Sequence, residues 1–119
     1  MANFLFTTVS PAQDTNITME MNGATIIMKV GEKRKLQLPG NATTGYAWRI
    51  VNQEGNSIET NSKWHYKAEF PFLMGSGGYF QKELIAKELG VTVLYLIYDA
   101  VAEPQLGYSY FLQFNVQTL

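Results

Sequence analysis

The 119-residue chain has no cysteine and a single histidine, His65. The first absence removes disulfides, thiolate zinc sites and a cysteine nucleophile. The second confines any Ser-His-Asp triad to one residue and excludes a histidine-rich metal site. Asp14 and Asp99 are the only aspartates, so a paired-carboxylate centre would have to draw on scattered glutamates. An excess of one charge is missing too: nine Lys and Arg against ten Asp and Glu leave a net charge of -1. Nucleic acids and anionic membranes select concentrated positive charge, so neither is expected as a partner. No apolar run approaches the roughly 20 residues of a membrane helix. The chain is not expected to be an enzyme.

What is present is the composition of an ordinary folded domain, 46% hydrophobic and 16% charged. A chain of this size buries roughly 65% of its unfolded surface, enough for a real core. Residues 1–119 read as one domain, with 1–16 either an added edge strand or a loose tail. Met1–Phe6 lacks a basic flank and gives way to polar residues from Thr7, so no targeting peptide is expected. A cytoplasmic location and a monomer are the default expectations.

Short β-type runs separated by turn signals predict an all-β sandwich or barrel. Asn22-Gly23 is a tight-turn dipeptide between Ile17–Met21 and Ala24–Val30. In Lys33–Leu38, Arg34 shares a face with Leu36 and Leu38 and is the misfit of a half-buried strand. Gly45–Val51 sets Tyr46, Trp48 and Ile50 against Ala47, Arg49 and Val51. Asn52–Asn61 is polar and reads as an exposed connection, and Lys63–Phe70 as an aromatic strand. Val91–Tyr98 is apolar on both faces, which predicts a central strand buried on each side. Gly107–Val116 turns Leu112, Phe114 and Val116 to one face. Gln81–Leu89 is built of helix formers, with a Glu83–Lys87 pair at helical spacing; helix and strand compete, and the all-β surroundings favour strand.

Four features invite a functional reading. Gly75-Ser76-Gly77-Gly78 lacks the spacing, the following Lys-Ser/Thr and the βαβ setting of a phosphate loop, and reads as a flexible loop. His65, between Trp64 and Tyr66, reads as structural or surface-exposed. Tyr79, Phe72 and Tyr108 flank expected loops and are candidate exposed anchors. The sharpest feature is Leu38-Pro39-Gly40-Asn41-Ala42-Thr43-Thr44-Gly45-Tyr46-Ala47-Trp48. It places a small-residue, hydroxyl-rich loop between two anchored strands. Read alone, it is an ordinary loop or a binding loop on a rigid scaffold.

This string resembles the pattern Leu-Pro-x-Asn-Pro-Thr-Thr-Gly-Phe/Tyr-x-Trp of the chagasin family, protein inhibitors of papain-type cysteine peptidases. Asn22–Thr25, Val30-Gly31-Glu32 and the glycine loop at 75–78 are similar to the family as well, and the resemblance covers roughly residues 17–118. It implies an immunoglobulin-like β-sandwich without disulfides, three inhibitory loops at one end, and no metal or cofactor. The peptidase-binding residues it implies are Asn41, Ala42, Thr43, Thr44, Gly45 and Tyr46 in the first loop. The second loop supplies Met74, Gly75, Ser76, Gly77 and Gly78, and the third Asp99, Ala100, Val101 and Ala102. Thr43 is expected nearest the peptidase's catalytic cysteine, with the other loops gripping the flanks. Two departures stand out: Ala42 replaces the family proline, and Ala100-Val101-Ala102 stands where Arg-Pro-Trp is usual. Val101, Pro104 and Leu106 are a candidate replacement surface. Neither sequon, at Asn16 or Asn41, would be glycosylated in the cytosol, and the one at Asn41 lies in the inhibitory loop, which must stay bare; this favours a cytoplasmic location. The competing expectation is a carbohydrate-binding or adhesion module, with aromatics on a sheet face rather than at the loop end.

Overall fold

The computed structural model describes residues 16–70 and 75–119. Expectations that fall on residues 1–15, on Phe72 or on Met74 lie outside the described residues. Alternating inward side chains build the strands β1 (Asn16–Thr18), β2 (Thr25–Met28), β3 (Lys33–Gly40), β4 (Tyr46–Glu54) and β5 (Ile58–Glu59). They continue with β6 (His65–Ala68), β7 (Gly78–Ala86), β8 (Gly90–Ala100) and β9 (Tyr108–Thr118). One sheet runs β1-β3-β7-β5, with β6 also paired to β7; the other runs β2-β9-β8-β4. Both are mixed: β1 lies parallel to β3 and β2 parallel to β9, and the other pairings are antiparallel. Their inner faces meet around Leu36, Leu38, Leu84, Leu94, Leu96 and Phe114, each fully buried. The result is the disulfide-free immunoglobulin-like sandwich the sequence suggested.

The contested segment is a strand. Over Gly78–Ala86, Phe80, Lys82, Leu84 and Ala86 face inward, and β3 pairs along its whole length. A helix would have left that ladder unmade, and the hydrogen bonds and core contacts outweigh propensities worth tenths of a kcal/mol per residue. Lys87 falls past the strand end, so its helical pairing with Glu83 never forms. Arg34 does lie on the buried face, where its Nε approaches Glu32 Oε2 at 3.2 Å.

Asn22-Gly23 turns the chain as expected, carrying it from β1 in one sheet to β2 in the other. Other expectations are corrected. β4 continues to Glu54, and the polar connection after it is not wholly exposed, because Ser57 and Ile58 are buried. Ser57 goes inside because its backbone N–H and hydroxyl both meet Thr92 Oγ1, at 3.0 and 2.6 Å, so its polarity is satisfied there. Ile58 pairs with Ala86 of β7. The aromatic strand expected over Lys63–Phe70 is confined to His65–Ala68. β8 is central but buried on one face only: Thr92, Leu94 and Leu96 point inward, while the opposite face is half-exposed and Val91 is 57% exposed. Among the described residues no element packs on that outer face.

Candidate functional site

Strand pairing brings three connections to one end of the sandwich. The β3–β4 connection leaves at Gly40, which pairs with Gly78, where β7 receives the connection from β6. β4 starts at Tyr46, which pairs with Ala100, where β8 hands over to the β8–β9 connection. Beneath them lies an aromatic platform centred on Tyr98. Its ring centroid is 5.1 Å from Trp48, 5.4 Å from Tyr46 and 6.2 Å from both Phe80 and Tyr110. Gly40 crosses directly over this platform: a Cβ there would come within 2.7 Å of the Phe80 ring and 3.0 Å of the Tyr98 ring. The absence of a side chain is therefore a packing requirement. Trp48 is anchored from the other side by its indole N–H, which donates to the Pro39 carbonyl at 2.9 Å.

The first loop folds as a single 3₁₀ turn over Ala42–Thr44, exposed throughout. Asn41 is its N-cap, extended at φ -139°, and its Oδ1 accepts from the Thr43 backbone N–H at 3.1 Å and from Thr43 Oγ1 at 2.6 Å. The Thr44 hydroxyl donates back to the Asn41 carbonyl at 2.7 Å. Gly45 closes the turn at φ +81°, a left-handed conformation that favours glycine. Both threonine hydroxyl protons are thus engaged inside the loop, leaving oxygen lone pairs and methyl groups at its surface.

Asn41 also joins the loops. Its Nδ2 donates to the Gly75 carbonyl of the second loop at 2.8 Å, and its backbone N–H donates to the Tyr98 hydroxyl at 2.9 Å. The third loop is tied in by Val101 N–H, which donates to the Gly45 carbonyl at 3.0 Å. In the second loop, Ser76 Oγ donates to the Phe70 carbonyl at 2.8 Å. Gly78 is buried against β6, where a Cβ would approach the Lys67 carbonyl to 2.2 Å.

The expected site residues therefore divide. Ala42, Thr43, Thr44, Gly45, Gly75, Gly77, Val101 and Ala102 are exposed at the loop end, with Asn41, Tyr46 and Ser76 half-buried beside them. Asp99, Ala100 and Gly78 are strand residues withdrawn from the surface. Asp99 takes both Nε and Nη2 of Arg49 across the strands, at 3.2 and 3.0 Å, and this pairing raises the arginine's pKa further above its ordinary value. A carboxylate so engaged orients the end of β8 and is not free to meet a partner. Beyond Val101, the third loop exposes Leu106 at 66%, and β9 opens with Tyr108, 60% exposed, its ring 6.1 Å from Phe111. Tyr98 was not singled out in the sequence. Nothing in its neighbourhood marks it, because its partner Asn41 lies 57 residues away.

Exposed aromatics occur in both places that distinguished the competing readings. Tyr108 and Tyr110 lie toward the loop end, while Phe111 is exposed on the outer sheet face, its ring 6.1 Å from those of half-buried Tyr95 and of Tyr108. Comparison with known proteins decides between them. Residues 27–114 match the model of the chagasin family of peptidase inhibitors, I42. The chain is 30% identical over 105 residues to Amoebiasin-1 of Entamoeba histolytica, covering 86% of this chain and 99% of that one. It is 33% identical over 88 residues to Chagasin of Trypanosoma cruzi, covering 69% and 77% of the two chains. Among solved structures, the cysteine protease inhibitor EhICP2 of Entamoeba histolytica shares the fold with a TM-score of 0.75 at 23% identity, over 88% of this chain and 95% of its own. PbICP-C, solved in complex with falcipain-2, matches at a TM-score of 0.60 and 19% identity, over 88% and 90%. With the three-loop end and the sandwich that carries it, these matches place the chain in the chagasin family: it is a peptidase inhibitor, not an enzyme.

Proposed function

We propose that the protein inhibits papain-type cysteine peptidases reversibly and competitively, with the first loop entering the active-site cleft and Thr43 nearest the catalytic cysteine. Gly75–Gly77 contacts one flank of the cleft. Val101, Ala102 and the apolar surface of Leu106 and Tyr108 contact the other, in place of the arginine and tryptophan usual in the family. The observation that carries this reading is the pair of bonds from Asn41 to Gly75 and Tyr98, which hold the loops in one arrangement before a peptidase arrives. Preorganisation of this kind reduces the ordering entropy that opposes association. The exposed tip, Ala42–Thr44, carries no charge and no bulky side chain, so its backbone can approach a narrow cleft closely. An interface of about 1,600 Å² is typical of protease–inhibitor pairs.

Titrating papain with the purified protein tests the reading. Stoichiometric loss of activity that added substrate competes away is expected, and no inhibition at micromolar concentration refutes it. The proposal includes action in the cytoplasm, supported by the absence of cysteine and by the sequon in the inhibitory loop. Recovery of the endogenous protein in a vesicle fraction would count against that part.

A further inference from the structure

Asn41-Ala42-Thr43 is at once the tip of the first loop and a complete acceptor sequence for N-linked glycosylation, with no proline in the middle position. We propose that Asn41 is a glycosylation acceptor and that a glycan there switches the inhibitor off, so that the compartment through which the chain passes sets its activity. This rests on the first loop being the one that enters the peptidase cleft.

The order in which the fold is assembled leaves the acceptor open to modification. In the finished structure Asn41 Nδ2 is engaged by the Gly75 carbonyl, 34 residues downstream, and its backbone N–H by Tyr98, 57 residues downstream. When Asn41 first enters the lumen, both partners lie downstream in the chain and have not yet folded against it. The sequon at Asn16 differs in place and consequence: it lies on edge strand β1, paired with Lys35 and remote from the loop end of β3. The donor is a lipid-linked oligosaccharide pyrophosphate. Its anomeric carbon–oxygen bond breaks and a bond from that carbon to Nδ2 forms. The carboxamide releases one proton to solvent, and the lipid pyrophosphate leaves with the bonding electrons.

The consequences follow from the distances. Nδ2 sits 2.8 Å from the Gly75 oxygen, so a sugar ring on that nitrogen must displace the second loop or swing outward over Thr43. Displacement breaks the tie between the first two loops. The outward path puts several sugar rings on the surface that meets the peptidase. Either path abolishes tight docking while leaving the buried core of the sandwich in place.

The test makes the full chain in an Asn16→Gln background, both in the bacterial cytosol and through the secretory route of a eukaryotic cell. The secreted product is expected to carry a glycan on the Asn41 peptide by mass spectrometry and to inhibit papain at least 100-fold more weakly than the bacterial product. Secretory cells blocked in lipid-linked oligosaccharide synthesis should yield a bare product matching the bacterial one. Ala42→Pro, which places proline inside the sequon, should inhibit equally from the two hosts, because neither copy is modified. A bare Asn41 in the secreted wild-type loop, or a glycosylated product within threefold of the bacterial one, overturns the switch. Failure of the bacterial product to inhibit overturns the cleft-binding reading beneath it, a result visible before any glycan is examined.

Discussion

Replacing Asn41 with alanine isolates the contribution of loop preorganisation. The substitution deletes the acceptor for the Thr43 N–H and the Thr43 hydroxyl, and the donor to the Gly75 carbonyl. Each bond lies in a solvent-accessible loop, so each is taken at the lower end of the usual net range, and together they amount to about 2 kcal/mol. Because 1.4 kcal/mol is a factor of ten, inhibition of papain should weaken about 30-fold. Global stability should fall by no more than about 1 kcal/mol, because a frayed loop recovers backbone entropy that partly offsets the lost bonds. Asn41→Asp divides the effect. It keeps an acceptor oxygen for Thr43 but turns a carboxylate oxygen toward Gly75, so it breaks the tie between loops and should cost roughly tenfold. Inhibition constants from steady-state titration, measured beside urea unfolding curves, give both numbers. Values within threefold of wild type for both variants would show that the loops need no such tie, and the reasoning would fail.

Three further outcomes are expected. Thr43→Asp sets a carboxylate beside Asn41 Oδ1, where a hydroxyl now donates at 2.6 Å, and should weaken inhibition at least tenfold, on the order of 1.4 kcal/mol, because the donor is lost and two acceptor oxygens face each other, with an unchanged circular dichroism spectrum; equal inhibition removes Thr43 from the mechanism. Gly78→Ala drives a Cβ to within 2.2 Å of the Lys67 carbonyl and should lower stability by about 2 kcal/mol, or roughly 8 °C in melting temperature; an unshifted melt would mean β6 moves aside freely. Lys82 is 7% exposed, and burial holds its ammonium below the ordinary lysine range. The unfolded chain therefore binds more protons there, and stability should rise with pH between the lowered value and the ordinary one. Measured by urea unfolding, wild type should gain on Lys82→Met as pH rises toward the ordinary lysine value of 10.5, and a constant difference refutes the assignment.

How far the fold was legible depended on whether burial followed a local period. In β9, Leu112, Phe114 and Val116 alternate with polar residues, and all three are buried as that alternation implied. In β7 the same period was hidden, because Lys82 occupies an inward position and the intervening residues favour helix. Only the ladder with β3 settled it. Ser57 looked like a surface residue because its hydrogen-bond partner, Thr92, is 35 residues away. The apolar pattern of β8 was misleading in the other direction. It implied two covered faces, whereas half-exposed Val93, Tyr95 and Ile97 lie on a face that no described element covers.

The sequence by itself determined the chemistry this protein lacks and the identity of its first loop, since both are properties of residue types and their order. Without cysteine and with one histidine, the chain has no disulfide, no cysteine nucleophile and no histidine-rich metal site, and Asn41–Tyr46 carries its family signature in consecutive residues. The tertiary structure decided which site residues reach the surface and what holds them there. Asp99 and Ala100 adjoin Val101 in the chain, yet the first two finish a buried strand and only the third is exposed. Tyr98 became a support for the first loop because strand pairing delivers its hydroxyl to Asn41 across 57 residues. Contacts over such distances depend on sheet order and register, which no local pattern encodes.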